Sequence, residues 1–493
     1  MLLPKRLICA LAAMVFTAVA VLLPSPAAHA DGRSPNSDGL MREEVSFRGG
    51  GGLTLHGTVL SPVTPQATGA RPGIVLVGGS GPGPREEYRQ EAESFALAGI
   101  TTLVYDKRTV RYSTMDRDFG LLAEDALAGV RLLRGRGGVD PRHVGLWGFS
   151  EGGWVAPLAA ARSSDVAFVI TIGGPGYSPL RTQTWNLTNR LQRRGITGSY
   201  LHAVKGPAAQ LIDSTAPFPE GDYDPLPVWK RLHRTPVLAL WGDHDTQVPP
   251  LESARIIERA LADAGNGHVV IRFLGEAAHN GHRTSDGFDR IGGPLYQGKR
   301  LGALAPGYMD TMTSWVHAVA SGHPPPSSTA PAPAQAAAST PTSGTWYAWL
   351  APVLLLLGFA SYPVSGALRR ITGRPRPRTR WCVALWRWLA GLGLVATTVA
   401  LLCPIVVFTA GDGAATPVVA GRPVGWLVAQ VLSIAVVALT GVAAVTAVTA
   451  WRRRFEHPSA DARPVQSTAA RATVMVTAVL FVPWALWWGT LRP

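Results

Sequence analysis

Four long apolar segments in the last third of the chain restrict its fold more than any other feature. They cover residues 346–368, 388–410, 424–450 and 473–490, and each is close to the roughly 20 residues that a helix needs to cross a bilayer. No segment carries an acidic residue, a lysine or a histidine at its centre. Because a backbone in lipid must satisfy its own hydrogen bonds, we predict four transmembrane helices over residues 346–493.

The arginines between these segments predict the orientation of the chain. Seven lie between the first and second segments and five between the third and fourth, whereas Arg422 is alone in the middle connection. Positive loops stay in the cytoplasm, so everything before residue 346 is expected outside, with the helices as an anchor in the cell membrane. These arginines also account for most of the formal charge of +14, which therefore does not indicate nucleic-acid binding.

The N-terminus is typical of an exported chain, in agreement with that orientation. Lys5 and Arg6 precede an apolar run that ends in "AHA" at residues 28–30, which predicts a signal peptide over residues 1–30. An uncleaved anchor is the alternative. One of the three cysteines, Cys9, lies in this segment, and none occurs between residues 31 and 345. The exported part must therefore be stabilised by its own core rather than by disulfides.

Residues 31–322 alternate short apolar runs with amphipathic ones. The candidate strands are "PGIVLVGG", "ITTLVYD", "HVGLWGF", "VAFVITIGG", "PVLALWG" and "VVIRFLG", with helical runs such as "LLAEDALAGVRLLRG" between them. The runs are apolar on both faces, which is typical of a covered parallel sheet. We predict an α/β domain, in which "VSFRGGGGLTLHGTVLSP" forms an antiparallel hairpin turning at its glycines. A Pro/Ala/Ser/Thr linker at 323–345 follows.

The stretch "GFSEGG", residues 148–153, contains a G-x-S-x-G pattern. In a chain with 54 glycines this pattern alone is weak. Its context makes it stronger, because Ser150 lies where a buried strand ends and an amphipathic run begins. A serine in such a turn is exposed above the sheet, so we predict that Ser150 is a nucleophile.

A serine nucleophile needs a base and an orienting carboxylate, which in this topology follow in the order Asp, then His. The loop "GDHDTQVPP" after the fifth strand run offers Asp245, with Asp243 as the alternative. The loop "GEAAHNGH" after the last run offers His279, with His282 as the alternative. Each residue directly follows a different strand.

Two backbone N–H groups should form the oxyanion hole. We assign one to Glu151, which follows the nucleophile and is expected to act through its N–H more than through its charge. The other is assigned to Ser80 in "LVGGSGPGPR". The glycines of that loop do not fit G-x-G-x-x-G, which argues against a nucleotide site. His244 with the two other loop histidines lacks zinc-ligand spacing, so neither a cofactor nor a metal is expected.

The segments "GGSGPGPRE", "LAGITTLVYDKRTVRYST", "VGLWGFSEGG", "GDHDTQVP" and "EAAHNG" resemble a family of bacterial α/β-hydrolase carboxylesterases. That family is related to serine aminopeptidase and prolyl-oligopeptidase-like enzymes, and the resemblance covers about residues 43–320. It implies an α/β-hydrolase fold with a catalytic triad of Ser150, Asp245 and His279. Arg85 and Arg108 match arginines of the family pattern. The family has Gly-Val-Gly after "YDKR", whereas this chain has 109–111 as Thr-Val-Arg.

The segment 177–234 falls where such folds carry a helical cap. Its apolar residues either line an acyl site or pack the cap; these are Trp185, Leu187, Leu191 and Tyr200. The function we predict is an extracytoplasmic, membrane-anchored serine hydrolase that cleaves small carboxylic esters. An aminopeptidase or amidase is the alternative, for which the cap acids could bind a substrate amine; these are Asp213, Glu220, Asp222 and Asp224. A non-catalytic receptor with the same fold is the third possibility.

Overall fold

The computed structural model describes residues 34–35, 38–63, 69–114, 116–215, 218, 220–335, 338–373, 380–456 and 467–493. The predicted signal peptide at 1–30 lies outside these ranges. The strands are β1 (Ser34–Pro35), β2 (Leu40–Arg48), β3 (Thr54–Pro62), β4 (Arg71–Val77), β5 (Thr101–Tyr105), β6 (Val139–Phe149), β7 (Val169–Ile172), β8 (Val237–Gly242), β9 (Val269–Leu274), β10 (Leu295–Tyr296), β11 (Lys299–Arg300), β12 (Ser328–Thr329), β13 (Val418–Val419) and β14 (Arg422–Pro423).

Helices lie between successive strands from β4 to β9, and further helices follow β9. They are α1 (Arg89–Leu97), α2 (Phe119–Arg134), α3 (Gly152–Ala160), α4 (Pro179–Arg193), α5 (Ser199–Ala203), α6 (Ala209–Thr215), α7 (Leu226–Trp229), α8 (Pro250–Asp263), α9 (Tyr308–Ala320), α10 (Trp346–Ile371), α11 (Arg380–Ala410), α12 (Val424–Glu456) and α13 (Ser467–Trp488). A single π-helical turn, Val204–Ala208, joins α5 to α6.

Ten strands form one sheet in the order β1-β2-β3-β5-β4-β6-β7-β8-β9-β12. The hairpin β2–β3 and its contact with β5 are antiparallel, as predicted from the four-glycine turn. All pairs from β5 through β4, β6, β7, β8 and β9 to β12 are parallel. Because the ends of parallel strands meet at one edge, the loops after β4, β6, β8 and β9 lie together there.

Alternate side chains of β4 show why the strands are apolar throughout. Val75 and Val77 pack in a core with α2 and α3, while Ile74 and Leu76 pack in a second core with α1 and α9. Successive strand residues point to opposite faces, so a sheet covered by helices on both faces has no polar face. The α/β-hydrolase fold class predicted from the sequence is confirmed.

The cap between β7 and β8 contains α4–α7 and packs in an unexpected place. Leu187, Leu191 and Tyr200 are buried in one apolar cluster with side chains of α10–α13. Three of the four cap residues considered for an acyl site therefore pack against the C-terminal helices. Trp185 is buried as well, at 8% exposure, outside that cluster.

The C-terminal helices α10–α13 are long and apolar enough to cross a membrane, with candidate spans Trp346–Ile371, Ala384–Ala410, Val424–Arg452 and Ala469–Trp488. The predicted linker approaches them along the surface of the α/β domain. Its residues Ser328 and Thr329 form β12 beside β9, and the backbone N–H of Ser339 donates to Glu252. The helices are thus joined to the domain both by this segment and by the packing of the cap.

Candidate active site

Ser150 occupies a sharp turn between β6, which ends at Phe149, and α3, which begins at Gly152. Its φ is 53°, a left-handed conformation that side chains other than glycine rarely adopt. The turn closes only because its neighbours are small: a Cβ on Gly148 would overlap the carbonyl oxygen of Gly152, and one on Gly152 would overlap that of Val77. Strain of this kind in a strand–serine–helix turn is typical of a nucleophile elbow.

Asp245 and His279 form a buried pair. Asp245 follows the end of β8, and its Oδ1 accepts hydrogen bonds from the backbone N–H groups of Gln247 at 2.8 Å and Val248 at 2.9 Å. Its Oδ2 lies 2.8 Å from Nδ1 of His279, and both residues are at most 5% exposed. The two backbone donors fix the carboxylate, and the carboxylate in turn fixes the ring and its tautomer, with the proton on Nδ1.

The His279 ring packs against the residue that precedes Ser150. The ring centroids of His279 and Phe149 are 5.0 Å apart, and a Cβ on Gly173 would lie 2.6 Å from the imidazole. The Nε2 atom is buried and has no hydrogen-bond partner in the part of the chain that the structure describes. With Nδ1 occupied by Asp245, Nε2 is the nitrogen that can take a proton beside the elbow.

The alternative residues have other partners. Asp243 accepts a hydrogen bond from the backbone N–H of Ala277 at 3.1 Å and lies 2.6 Å from Nδ1 of His244. His282 is buried with Nε2 2.8 Å from Glu91 and Nδ1 2.8 Å from the carbonyl oxygen of Leu301. Two acceptors favour a doubly protonated His282, which could not serve as a base.

The loop after β4 lies directly beside the elbow. A Cβ built on Gly79 would be 3.4 Å from the Cβ of Ser150. The N–H of Gly79 donates to the hydroxyl of Tyr88 at 2.8 Å, and the N–H of Gly81 donates to Tyr112 at 2.9 Å. Ser80, between them, makes no backbone hydrogen bond to any described residue, so its N–H has no backbone acceptor there.

The Glu151 N–H is likewise without a partner among the described residues, but the Glu151 side chain has a function that the sequence did not indicate. Its carboxylate is fully buried and forms ion pairs with Lys107 and, at 3.0 Å, with Arg117. The hydroxyl of Tyr112 donates to it at 2.9 Å. Lys107 Nζ also donates to the carbonyl oxygen of Gly79 at 2.6 Å. This network connects the loop after β4 to Glu151, the residue that follows Ser150.

The three residues that contact the Glu151 carboxylate lie close together in the sequence. Lys107 is the variable position of the Y-D-x-R segment, and both Tyr112 and Arg117 follow it in the same loop. Within that loop, Arg111 has φ 54°, the conformation that suits the glycine of the family pattern at this position. Thr-Val-Arg in place of Gly-Val-Gly is therefore compatible with this turn, after which Tyr112 lies beside Glu151.

The two arginines matched to the family pattern pair with residues outside this network. Arg108 is buried and donates two hydrogen bonds of 2.6 Å to Asp125, with a third of 2.8 Å to the carbonyl oxygen of Gly50. Arg85 pairs with Glu44 at 2.6 Å. Both connect the hairpin β2–β3 to the domain, so they support the fold around the site.

A cavity of about 540 Å³ adjoins the elbow, and its lining includes Phe149, Ala278 and Asn280, the neighbours of Ser150 and His279. Aromatic side chains form part of the wall, and charged ones line it as well; these include Tyr88, Trp147, Arg190, Arg290 and Lys299. No group of three His, Cys, Asp or Glu side chains is spaced to hold a metal in the ranges that the structure covers.

A parallel sheet of this order, with a strained serine between a central strand and a helix, defines the α/β-hydrolase class. Residues 119–291 match the sequence profile of the prolyl oligopeptidase family. The chain is 28% identical over 226 residues to Esterase EstD of Thermotoga maritima, covering 40% of this chain and 52% of that protein. It is 32% identical over 136 residues to Thiohydrolase apmlB of Arthrinium phaeospermum, covering 27% and 43%. The chain therefore spans about half the length of these relatives or less.

Solved structures with similar folds include the 2,6-dihydroxy-pseudo-oxynicotine hydrolase, at 18% identity and a TM-score of 0.39 over 58% of this chain and 70% of that one. A dienelactone hydrolase from Anabaena variabilis aligns at 18% identity and a TM-score of 0.33, over 58% and 99%. The fold of the chain is thus that of the α/β-hydrolase class, and the relatives that match its sequence include an esterase and a thiohydrolase.

Proposed function

We propose that the chain is a membrane-anchored serine hydrolase that cleaves carboxylic esters through an acyl-enzyme on Ser150. The observation that carries the proposal is the buried Asp245–His279 pair beside a serine with φ 53°. In this mechanism His279 Nε2 takes the Ser150 proton as Oγ attacks the ester carbonyl. Asp245 stabilises the resulting imidazolium.

The oxyanion of the tetrahedral intermediate is held by the N–H groups of Ser80 and Glu151. Backbone donors that are fixed before the reaction stabilise developing charge without reorganisation. His279 then returns the proton to the leaving alcohol, and water attacks the acyl-enzyme by the same base to release the acid. Each step uses only groups that converge at the elbow.

The experiment uses the full chain in detergent micelles and a fluorophosphonate probe, which labels an activated serine. We expect the wild type and a Ser163→Ala control to be labelled, because Ser163 lies on a surface loop where its Oγ accepts only a hydrogen bond from Asp165 N–H. Ser150→Ala should not be labelled. A folded wild-type chain without labelling would contradict the proposal and favour a non-catalytic receptor.

Peptide or amide cleavage is the second candidate, supported by the prolyl oligopeptidase match. The proposed amine anchor gains no support from the cap acids: Asp213, Asp222 and Asp224 line a separate groove beside Tyr177. Asp213 also accepts a hydrogen bond from the Gly344 N–H. Hydrolysis of short acyl 4-nitrophenyl esters but not of aminoacyl 4-nitroanilides would support the esterase; the reverse preference would support the peptidase.

We also propose that the hydrolase domain lies on the extracytoplasmic side of the membrane. Its cap packs at one end of α10–α13, and the arginine-rich connections are at the opposite end, which is expected in the cytoplasm. Ser321→Cys and Arg370→Cys each add one thiol, at exposed positions on the two sides, to the native cysteines. A maleimide that does not cross membranes should label position 321 in intact cells and position 370 only after lysis, with the unsubstituted chain as background. Labelling of position 370 in intact cells would reverse the orientation.

A further inference from the structure

The cap is built into one end of the helix bundle, here named the cap-side end and formed by residues 345–348, 411–423 and 489–493. Tyr200, Val204 and Ala208 are fully buried in the core that they share with α10–α13. The Tyr200 hydroxyl donates to the carbonyl oxygen of Cys403 at 3.1 Å. Cys403 lies seven residues before the end of α11 at Ala410, or about 10 Å along a helix axis. The cap therefore lies level with the last turns of helices that could cross a membrane.

Helix α4 connects this end of the bundle to the cavity lined by Phe149, Ala278 and Asn280. Arg190 lines the cavity and pairs with Asp412, in the connection between α11 and α12, at 2.6 Å. Arg194, just after α4, pairs with the same carboxylate at 3.3 Å. One ion pair thus separates the cavity wall from the bundle. If the bundle spans a bilayer, the cavity lies at the level of the lipid headgroups.

The opposite wall belongs to residues 285–304, here called the rim loop. It is joined to α4 by an ion pair between Asp286 and Arg193, whose guanidinium lies 4.6 Å from the Phe288 ring centroid. The rim loop exposes Ile291 at 38% and Leu295 at 65%. Apolar side chains beside basic ones are typical of segments that lie at an anionic membrane surface.

The cavity wall carries two cations without an ion pair. Arg290 and Lys299 line it and have no ion pair within the described residues. Of the carboxylates there, Glu91 is paired with His282. Asp289 stays charged, because hydrogen bonds from Ser285 and Thr284 hold its pKa below the ordinary range. Burial raises the pKa of the Glu87 carboxyl, whereas the charges of Arg290 and Lys299 lower it. The two cations are thus without salt bridges among the described residues, with Glu87 and Asp289 on the same wall.

We propose that the substrate is an ester amphiphile of the bilayer with an anionic headgroup, a phosphate or a carboxylate, bound by Arg290 and Lys299. The headgroup lies against the rim loop, and the ester bond reaches Ser150 past the aromatic wall of Trp147 and Phe149. Entry from the bilayer surface is short because the cavity adjoins the cap-side end of the bundle. This inference rests on the proposed serine hydrolase.

The test uses the full chain reconstituted in phosphatidylcholine vesicles and two amphiphiles with the same acyl chain, 1-oleoyl-lysophosphatidylglycerol and 1-oleoyl-lysophosphatidylcholine. Oleate release gives kcat/KM for each, and 4-nitrophenyl acetate measures reaction at Ser150 without a headgroup. A basic residue near anionic lipid contributes about fivefold in binding, so two should favour the anionic amphiphile by roughly tenfold or more. Arg290→Gln with Lys299→Gln should bring the ratio close to one.

A matched control is Lys230→Gln, which removes a surface lysine paired with Asp263 far along the chain from the rim loop and should keep the wild-type preference. Equal rates on the two amphiphiles in the wild type, or an unchanged ratio in the Arg290/Lys299 double variant, would overturn the inference while 4-nitrophenyl acetate is still cleaved. A third amphiphile, oleoyl-glycerol succinate, carries a carboxylate in place of the phosphate. Its kcat/KM, compared with that of the lysophosphatidylglycerol, shows which of the two headgroups is preferred. If no ester is cleaved and Ser150 is not labelled, both the proposed function and this inference are wrong.

Discussion

The hydroxyl of Tyr112 connects the loop after β4 to the elbow, and its removal tests whether that connection matters for catalysis. The oxygen accepts hydrogen bonds from Gly81 N–H and Lys107 Nζ, both at 2.9 Å, and donates to Glu151 at 2.9 Å. Tyr112→Phe keeps the buried ring and removes all three bonds. Lys107 and Glu151 retain each other, so the substitution leaves no unpaired buried charge.

The magnitude follows from these three bonds. A hydrogen bond to a charged group contributes about 1.5–3 kcal/mol net and a neutral one about 1 kcal/mol; because the charged partners keep each other, we expect a total loss of about 2–3 kcal/mol of folding stability. Without the Tyr112 hydroxyl the Gly81 N–H loses its acceptor. The loop can then move, and the adjacent Ser80 N–H moves with it. Removal of an oxyanion donor costs about 100- to 1000-fold in kcat, and a displaced donor should cost less, about tenfold.

The assay compares the full chain and its variants in detergent with a short acyl 4-nitrophenyl ester. Tyr112→Phe should lower kcat and leave KM nearly unchanged, because the lost interaction acts on the transition state. The thermal midpoint should fall by about 5 °C or more. Tyr223→Phe is the matched control, since its buried hydroxyl has no partner in the described part of the chain. A Tyr112→Phe kcat within twofold of the wild type would show that this hydroxyl does not matter for catalysis.

Further substitutions test other parts of the site and the fold. Asp245→Asn keeps the shape but loses the charge that fixes the His279 tautomer, so kcat should fall about 1000- to 10,000-fold at an unchanged thermal midpoint. Gly152→Ala should abolish labelling and reduce the yield of folded chain, because its methyl group would overlap Val77, whereas Gly137→Ala meets nothing within 4 Å and should be neutral. Burial opposes a charged His282, yet the charge and hydrogen bond of Glu91 raise its pKa above the ordinary 6.5. The pair therefore stabilises the fold below that pH, and the stability is lost as pH rises through the raised pKa; the thermal midpoint should fall over this window in the wild type and less in Glu91→Gln. A chain ending at residue 322 exposes cap side chains that the bundle covers and should aggregate in size-exclusion chromatography without detergent.

The strands, the four long helices and the elbow could be predicted because their signals are local. Each of the six predicted strand runs is short and apolar, and Ser150 lies between a strand and a helix that are adjacent in sequence. The contacts of Asp245 with His279 could be anticipated as well, since both follow parallel strands whose ends meet at one edge. The distance between them and the choice over Asp243 and His282 required the structure.

The Glu151 network and the packing of the cap could not be predicted, because each depends on residues that are distant in sequence. In the sequence alone, Glu151 cannot be distinguished from a solvated glutamate, because nothing there shows that Lys107 and Arg117 contact its carboxylate. The apolar face of α4 fits a cap core equally well, and the burial of Leu187 and Leu191 in one cluster with α10–α13 identifies the bundle as what covers it. A hydrophobic pattern predicts which face of a helix is buried, but not the element against which that face packs.

The position of α4 couples the packing of the C-terminal helices to the cavity wall. Leu187 and Leu191, one turn apart, pack in the bundle core, while Asn186 and Arg190, also one turn apart, line the cavity. Residues four apart share a face of a helix, so two adjacent faces of α4 contact the bundle and the cavity at once. A rigid helix cannot move on one face alone; any change in how α10–α13 pack against the cap must therefore move the cavity wall. The helices that would hold the chain in a membrane thus also set the shape of the site in which an ester would bind.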